Sequence, residues 1–300
     1  MSSELVSAKH TTADFRDLGL LAVLWAGAFA LTDIAVESMT PAWSVSIRML
    51  VSAAVLAPLM IIKRERFPHS KQMWGWLTAL ALCGDLIPFF LLSWGIALID
   101  SGLAAILVGV MPLITLLLAR IFVPGETLTA MRIAGFATGL IGMIIVIGPN
   151  ALTATSEDGI PLLGEMLVLG AAFFFAVNAI VARRAPPAPL YTKACLTTGL
   201  AGVLMFPLAW AQTPLDISTI STNSWAAVIV LGALPVGYAT VVYFRIIESA
   251  GPSFMAMTNY LVPVLALALG AVFLDETVTF HALAGLAVIL GGIALAEFKR

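Results

Sequence analysis

The chain has 300 residues, of which 61% are hydrophobic and only 11% are charged, and its formal net charge is −2. Soluble chains average about 25% charged residues, so the composition argues against a soluble enzyme, a DNA-binding protein and a disordered scaffold. The weak net charge and the absence of a long basic run also argue against nucleic acid as a partner. The composition therefore predicts a membrane protein.

Stretches long enough to cross a bilayer recur along the whole chain. A transmembrane helix needs about 20 mostly apolar residues, and charges, Pro/Gly clusters or polar loops separate ten such stretches. Runs such as LLAVLWAGAFAL stay apolar throughout, unlike the alternating strands of a membrane barrel. We therefore predict an all-α integral membrane protein with ten transmembrane helices. In chain order they cover residues 18–36, 43–62, 74–94, 102–122, 132–149, 162–182, 193–211, 225–246, 254–274 and 281–297.

The basic residues predict how these helices are oriented. With the N-terminus in the cytoplasm, each of the 15 lysines and arginines except Arg48 falls on the cytoplasmic side. Cytoplasmic loops carry such an excess of positive charge. We therefore expect both termini to be cytoplasmic.

The two halves of the chain resemble each other at an offset of 150 residues. In GETLTAMRIAGFATGLIGMI and DETVTFHALAGLAVILGGIA, Gly135 aligns with Gly285 and Gly142 with Gly292. Each half holds five predicted helices, an odd number, so the second half must enter the membrane from the opposite side. We predict two inverted five-helix repeats, residues 1–150 and 151–300, with a substrate site near the midplane between them.

Three stretches resemble a known family: RMLVSAAVLAPLM, SGLAAILVGVMPLITLLLARIFVPGETLT and AGPSFMAMTNYLVPVLALALGAVFLDETVT. They are similar to the two EamA-type halves of the drug/metabolite transporter (DMT) superfamily. The resemblance implies a multi-pass secondary transporter of the cytoplasmic (inner) membrane that needs no cofactor and works by alternating access. It implies export of small metabolites, most often amino acids as in the YddG-like branch. Amphipathic drugs or other metabolites are the alternative substrates.

Asp85 is the deepest ionisable residue, about eleven residues into the third predicted helix. A carboxyl group inside the bilayer is costly and is therefore a candidate functional group. Pro88, Phe89 and Leu92 follow it at i+3, i+4 and i+7, so the four residues share one helix face. Our hypothesis is that Asp85 binds a substrate ammonium or carries a coupling proton. The alternative is a protonated or hydroxyl-bonded carboxyl that only packs.

Arg48 lies near the outer start of the second predicted helix, and Asp33 lies toward the outer end of the first. A structural ion pair between them is the favoured interpretation. The alternative is that Arg48 meets a substrate carboxylate at the outer mouth.

Aromatic and amide side chains complete the candidate cavity. Trp25 and Phe29 share a helix face, and Asn178 needs hydrogen-bond partners in mid-helix. Rings at helical spacing also occur as ordinary packing or lipid contact, which is the alternative for each of them. The remaining candidates lie beside prolines in the eighth and ninth helices: Tyr238, Asn259 and Tyr260.

Three prolines inside predicted helices are candidate gating or hinge residues, because proline removes a helical hydrogen bond. They are Pro88, Pro112 and Pro263. Glycines of the fifth predicted helix and small residues of the tenth predict close helix packing, either inside the protein or against a second copy. A monomer and a homodimer both fit this pattern.

Other functional classes fit the sequence poorly. The three histidines fall in the N-terminal tail, a loop and a helix end, so we expect no histidine metal site in the bilayer. A catalytic pair of Asp33 and Asp85 would join residues at different depths. A channel would need rings of charge or carbonyls, usually from an oligomer. A small-molecule carrier, not an enzyme, is the prediction.

Overall fold

The structure is a computed structural model, and it describes residues 10–99, 101–124, 129–147, 160–262, 265 and 280–297. Its helices in the first half are α1 (Thr12–Ala26), α2 (Ala28–Val36), α3 (Pro41–Ile62), α4 (Lys71–Leu80), α5 (Ile87–Ile96), α6 (Ser101–Val108), α7 (Met111–Phe122) and α8 (Ala130–Ile147). Those in the second half are α9 (Ile160–Arg184), α10 (Leu190–Gln212), α11 (Thr222–Leu231), α12 (Ala239–Ser249), α13 (Pro252–Ala256) and α14 (Phe280–Glu297).

Six helices are long and apolar enough to cross a membrane, and shorter apolar helices accompany them. This confirms the all-α class and a multi-pass membrane protein. The count of ten transmembrane helices and the cytoplasmic termini stay predictions. The six long helices are Thr12–Val36, Pro41–Ile62, Lys71–Ile96, Leu162–Arg184, Leu190–Gln212 and Thr222–Ser249.

Local sequence explains where several helices begin. The Thr11 hydroxyl accepts from the backbone N–H of Asp14, whose carboxylate accepts in return from Thr11, so a capping box starts α1. Thr40 caps α3 directly before Pro41, whose fixed φ suits the first turn of a helix. Ser70 and Ser221 cap α4 and α11 in the same way.

Two long helices contain a π-helical turn, Ala81–Leu86 between α4 and α5 and Gly232–Tyr238 between α11 and α12. The two turns are separated by nearly the offset that aligns the halves of the sequence. Pro88 is the second residue of α5, directly after the first turn, and Pro235 lies inside the second turn. A π turn inserts one residue, so it rotates the following residues by about 100° relative to an uninterrupted α-helix.

The other breaks also fall in mid-helix. Gly27 separates α1 from α2, and a turn at Gly109 and Val110 separates α6 from α7. Pro112 therefore lies in the first turn of α7, where it costs no helical hydrogen bond, and the break precedes it. Pro263 lies outside the described residues.

Helices at matching places in the two halves pack against each other, α3 against α10 and α8 against α14. Glycines allow the second pair to touch: a Cβ at Gly142 would lie 2.7 Å from the Ile289 nitrogen, and one at Gly292 would lie 2.7 Å from the Gly135 oxygen. The glycine face predicted in the fifth helix thus packs inside the protein.

Candidate functional site

A partly open cavity of about 110 Å³ lies between the two halves of the chain and is lined by residues of both. The π turns and the helix breaks supply much of its wall. The first half contributes Trp25, Ala28, Phe29, Thr32, Arg48, Leu80, Gly84, Asp85, Phe89, Leu92, Val108, Gly109 and Met111. The second half contributes Phe175, Asn178, Leu231, Pro235, Val236, Thr240, Tyr243, Phe244, Asn259 and Val262.

Arg48 is the positive group of the cavity, and it is only 1% exposed. One terminal nitrogen, Nη2, donates to the Phe89 carbonyl at 3.2 Å and to the Ser93 hydroxyl at 3.0 Å. Nη1 donates to the Thr32 hydroxyl at 3.4 Å. The guanidinium also lies 4.5 Å from the centre of the Phe89 ring. Four contacts therefore hold the guanidinium in place.

The predicted ion pair between Arg48 and Asp33 is not found among the described residues. Asp33 is exposed, whereas Arg48 points into the bundle and is buried there. Within the described part of the chain, no salt bridge joins Arg48 to a carboxylate. The reason is that α2 turns Thr32 toward the cavity and the next residue, Asp33, away from it.

Asp85 is the acidic group of the cavity; it lies inside the first π turn, and 7% of its surface is exposed. Its carboxyl interacts with the Thr197 side chain of α10 and, electrostatically, with Arg48 and Tyr243. Two opposite charges thus face one cavity without a direct salt bridge between them.

Asn178 of α9 packs directly on the backbone of the same π turn. A Cβ at Gly84 would lie 2.5 Å from the Asn178 amide nitrogen, so only glycine fits there. That nitrogen donates to the Tyr243 hydroxyl at 3.0 Å, whereas the amide oxygen is buried without a partner in the structure. The Arg48 Nε is also buried and unpartnered. Arg48 Nε and Asn178 Oδ1 are thus two buried polar atoms of cavity-lining residues that have no hydrogen-bond partner among the described residues.

Aromatic rings form much of the remaining wall. Phe89 and Phe175 meet edge to face with their ring centres 5.1 Å apart, which joins the two halves. The Trp25 indole donates to the Pro235 carbonyl at 3.0 Å, and its ring lies 6.4 Å from Tyr243. These contacts tie α1 to the second π turn.

Most of the predicted site residues come together at this cavity. Asn259 of the ninth predicted helix lines it, and its amide donates to the Ala256 carbonyl at 3.2 Å. The other predicted residues that line it are Trp25, Phe29, Arg48, Asp85, Phe89 and Asn178.

Two predicted tyrosines lie elsewhere, so their placement in the cavity was wrong. Tyr238 is 36% exposed and is not part of the lining. Tyr260 is buried, but its hydroxyl donates to the Phe136 carbonyl at 2.8 Å and its ring packs on Gly139. Pro88 and Pro112 are buried beside the cavity and are not part of its lining either.

Sequence reasoning missed the tyrosine that does line the cavity, Tyr243. Val236, Thr240 and Tyr243 follow at i, i+4 and i+7 and all line it, so helical spacing was the available signal. The second π turn ends at Tyr238 and shifts the register there, which is why the prominent cluster around Pro235 indicated the wrong residue.

Hydrogen bonds between the two halves join the bundle at both of its ends. At one end, Arg245 donates to the Asp17 carboxylate at 3.0 Å and the Ser249 hydroxyl donates to Asp14 at 2.6 Å. We call these four residues the ionic end.

At the opposite end the contacts are uncharged. The Ser38 hydroxyl donates to Ser224 at 2.9 Å, Ser224 donates to the Ile34 carbonyl at 2.7 Å, and the Trp43 indole donates to the Thr213 carbonyl at 2.8 Å.

Comparison with known proteins identifies the family to which the chain belongs. A model of the EamA-like transporter family matches the chain twice, over residues 18–148 and 162–298. One solved crystal structure superposes with a TM-score of 0.77 over 96% of this chain and 99% of its own, at 21% identity, which shows a shared fold.

Several curated relatives are named as transporters and match over most of their length. A probable terminal-alkyne amino-acid exporter of Streptantibioticus cattleyicolor is 29% identical over 93% of this chain and 91% of its own. The uncharacterized inner membrane transporter YedA of Escherichia coli is 24% identical over 95% and 91%. Protein PagO of Salmonella typhimurium is 23% identical over 94% and 91%. With both halves matched by the family model, the chain belongs to the EamA-like transporter family of the drug/metabolite transporter superfamily.

Proposed function

We propose that this protein is a secondary transporter of the cytoplasmic membrane that exports amino acids by alternating access. The observation that carries the proposal is the cavity between the two halves, which both Arg48 and Asp85 line. An amino acid carries the same two charges, and the apolar and aromatic walls suit an uncharged side chain. Export and the amino-acid class are further supported by the name of the Streptantibioticus relative.

Alternating access needs two halves that can part at either end of the cavity. Two features support it: the family model matches each half separately, and the two π turns lie at matching places on either side of the cavity. A few hydrogen bonds join the halves at each end, which suits contacts that break and re-form. We infer that residues 1–150 and 151–300 are inverted repeats that exchange these contacts during transport.

Counterflow into proteoliposomes tests the proposal. Vesicles preloaded with unlabelled leucine should accumulate external labelled leucine, and other amino acids should compete. The controls are empty liposomes and preloaded vesicles containing the Arg48→Gln/Asp85→Asn double variant, and neither should accumulate label. If no amino acid supports counterflow, amino-acid transport is contradicted.

Export of amphipathic drugs is the second candidate, because most of the cavity wall is apolar. On that hypothesis, labelled organic cations would be transported and amino acids would not compete. The same vesicles distinguish the two hypotheses.

A further inference from the structure

The geometry points to a cavity that recognises both charged ends of one zwitterion. We propose that the Arg48 Nε binds the α-carboxylate, while the Asp85 carboxylate and the Asn178 amide oxygen bind the α-ammonium. This inference rests on the proposed amino-acid transport and names the groups responsible for its selectivity. It makes the site selective for α-amino acids over simple amines and simple acids.

At the carboxylate end, Arg48 is held ready for an anion. Its terminal nitrogens already donate to Thr32, Phe89 and Ser93, so the guanidinium cannot turn freely. The Nε remains buried without an acceptor, and no carboxylate of the described residues forms a salt bridge with Arg48. A buried, unneutralised guanidinium is costly, and a carboxylate ligand would both neutralise it and fill the unused donor.

At the ammonium end, two acceptors are available to the ligand. Asp85 supplies a carboxylate. The Asn178 nitrogen donates to the Tyr243 hydroxyl, and the Asn178 oxygen has no partner among the described residues and can accept from a donor. Gly84 permits this arrangement, because any larger residue would displace the amide. An ammonium has three donors and no acceptor, which matches this set of groups.

The two ends lie close together on one helix. The Phe89 carbonyl that holds the guanidinium is four residues beyond Asp85, a rise of about 6 Å along a helix. Asp85 and Arg48 feel each other's charge but stay beyond salt-bridge distance. An α-amino acid, whose charged groups are adjacent, can lie between them with each charge facing its opposite. A dianion would meet Asp85, and an amine alone would leave Arg48 unneutralised.

Competition in the counterflow assay tests this with three matched probes. They are leucine, 3-methylbutylamine, which lacks the carboxylate, and 4-methylpentanoate, which lacks the amine. Because each analogue leaves one buried charge unpaired, the wild type should require at least about tenfold more of either analogue than of leucine for half-inhibition. Equal potency of leucine and either analogue would overturn the proposal, and this measurement needs no variant.

Single variants then show which residue binds which charged group of the ligand. Arg48→Gln should bring the potency of 3-methylbutylamine close to that of leucine while 4-methylpentanoate stays weak. Asp85→Asn should bring the potency of 4-methylpentanoate close to that of leucine while 3-methylbutylamine stays weak. Because each ratio is measured within one variant, it does not depend on how much of that variant folds. Arg184→Gln on the exposed end of α9 and Asp216→Asn in an exposed loop are the matched controls and should keep the wild-type ratios.

A failure of this inference and a failure of the proposed function would give different results. Loss of potency by the same factor for all three probes would make Arg48 or Asp85 a structural residue and overturn its assignment. The absence of counterflow with every amino acid would instead contradict the proposed function. If a variant shows no counterflow, ligand-induced stabilisation of the purified variant in detergent gives the same three-probe ranking, and an unchanged ranking would also overturn the assignment.

Discussion

The backbone of Gly84 touches the Asn178 amide, which leaves no space for a side chain. We expect Gly84→Ala to displace that amide and to destabilise the protein by about 1–3 kcal/mol through overpacking. The affinity for leucine should fall as well, because Asn178 lines the cavity. Thermal unfolding in detergent and the concentration dependence of counterflow measure the two effects.

Gly75 is the matched control on the same long helix. A Cβ there meets nothing within 4 Å. Gly75→Ala should therefore leave transport unchanged and raise stability slightly, since alanine is the better helix former. Equal effects of the two substitutions would contradict the close contact at Gly84.

Tyr243 and Tyr238 separate the cavity face of the eighth predicted helix from its exposed face. Tyr243→Phe removes the hydroxyl that accepts from Asn178, so the amide is held less firmly at the cavity. We expect the free energy of leucine binding to weaken by about 1 kcal/mol, which is a factor of about five in affinity. Tyr238→Phe should change neither stability nor affinity, because that ring is exposed outside the cavity. A larger effect at Tyr238 in the counterflow assay would favour the original sequence-based assignment.

Between elements, glycines let α8 and α14 approach closely. A Cβ at Gly292 would lie 2.7 Å from backbone atoms of Gly135 and Gly139, whereas a Cβ at its neighbour Gly291 would meet nothing within 4 Å. Gly292→Ala should force the helices apart and destabilise the protein by about 1–3 kcal/mol. Gly291→Ala should be neutral or slightly stabilising. The difference between their unfolding midpoints in detergent is the measurement, and identical midpoints would contradict this contact.

The π turns also affect how the helices are arranged around the cavity. Each places a wide turn of backbone at the cavity wall, with Asp85 inside the first and Pro235 inside the second. The Pro235 carbonyl accepts from Trp25, so the second turn also connects the halves. Such turns occur frequently at functional sites, because the wider turn changes which side chains face inward.

For the whole molecule, the ionic end is one of the places where hydrogen bonds join the two halves. Arg245→Gln removes a donor from Asp17 and should shift the population toward a state open at that end. A salt bridge with a partly exposed partner contributes up to about 1 kcal/mol, so the shift should be at most about fivefold. Labelling of a Thr240→Cys variant by a water-soluble thiol reagent, with Cys83 and Cys195 replaced, reports the opening.

Arg16→Gln is the control, because Arg16 also donates to Asp17 but belongs to the same helix. It removes a contact within the first half and none between halves. Its labelling rate should match that of the parent. If the labelling rate rises equally in both variants, the loss of a positive charge beside Asp17, and not the connection between the halves, controls access.

The sequence by itself determined the class of the molecule and most of the polar residues at its centre. Hydrophobic runs separated by charges are a local property, so five of the six long helices were predicted within three residues at each end, whereas the first begins six residues before its predicted start. A charged or amide group is rare inside such a run and indicates an inward-facing position, which explains why Asp85 and Asn178 could be selected from the sequence as cavity residues. The family resemblance was equally visible in the order of the residues.

Only the tertiary structure decided which faces meet. The π turns and the break at Gly27 change the register along a helix by amounts that no uninterrupted 3.6-residue pattern predicts. That is why Tyr243 replaced Tyr238 in the cavity. Pairing across helices also depends on neighbours distant in sequence, as when Arg48 meets Phe89 and Ser93 and not Asp33. The hydrophobic pattern of a helix determines which of its residues are buried. Packing between helices determines which residues those buried residues contact.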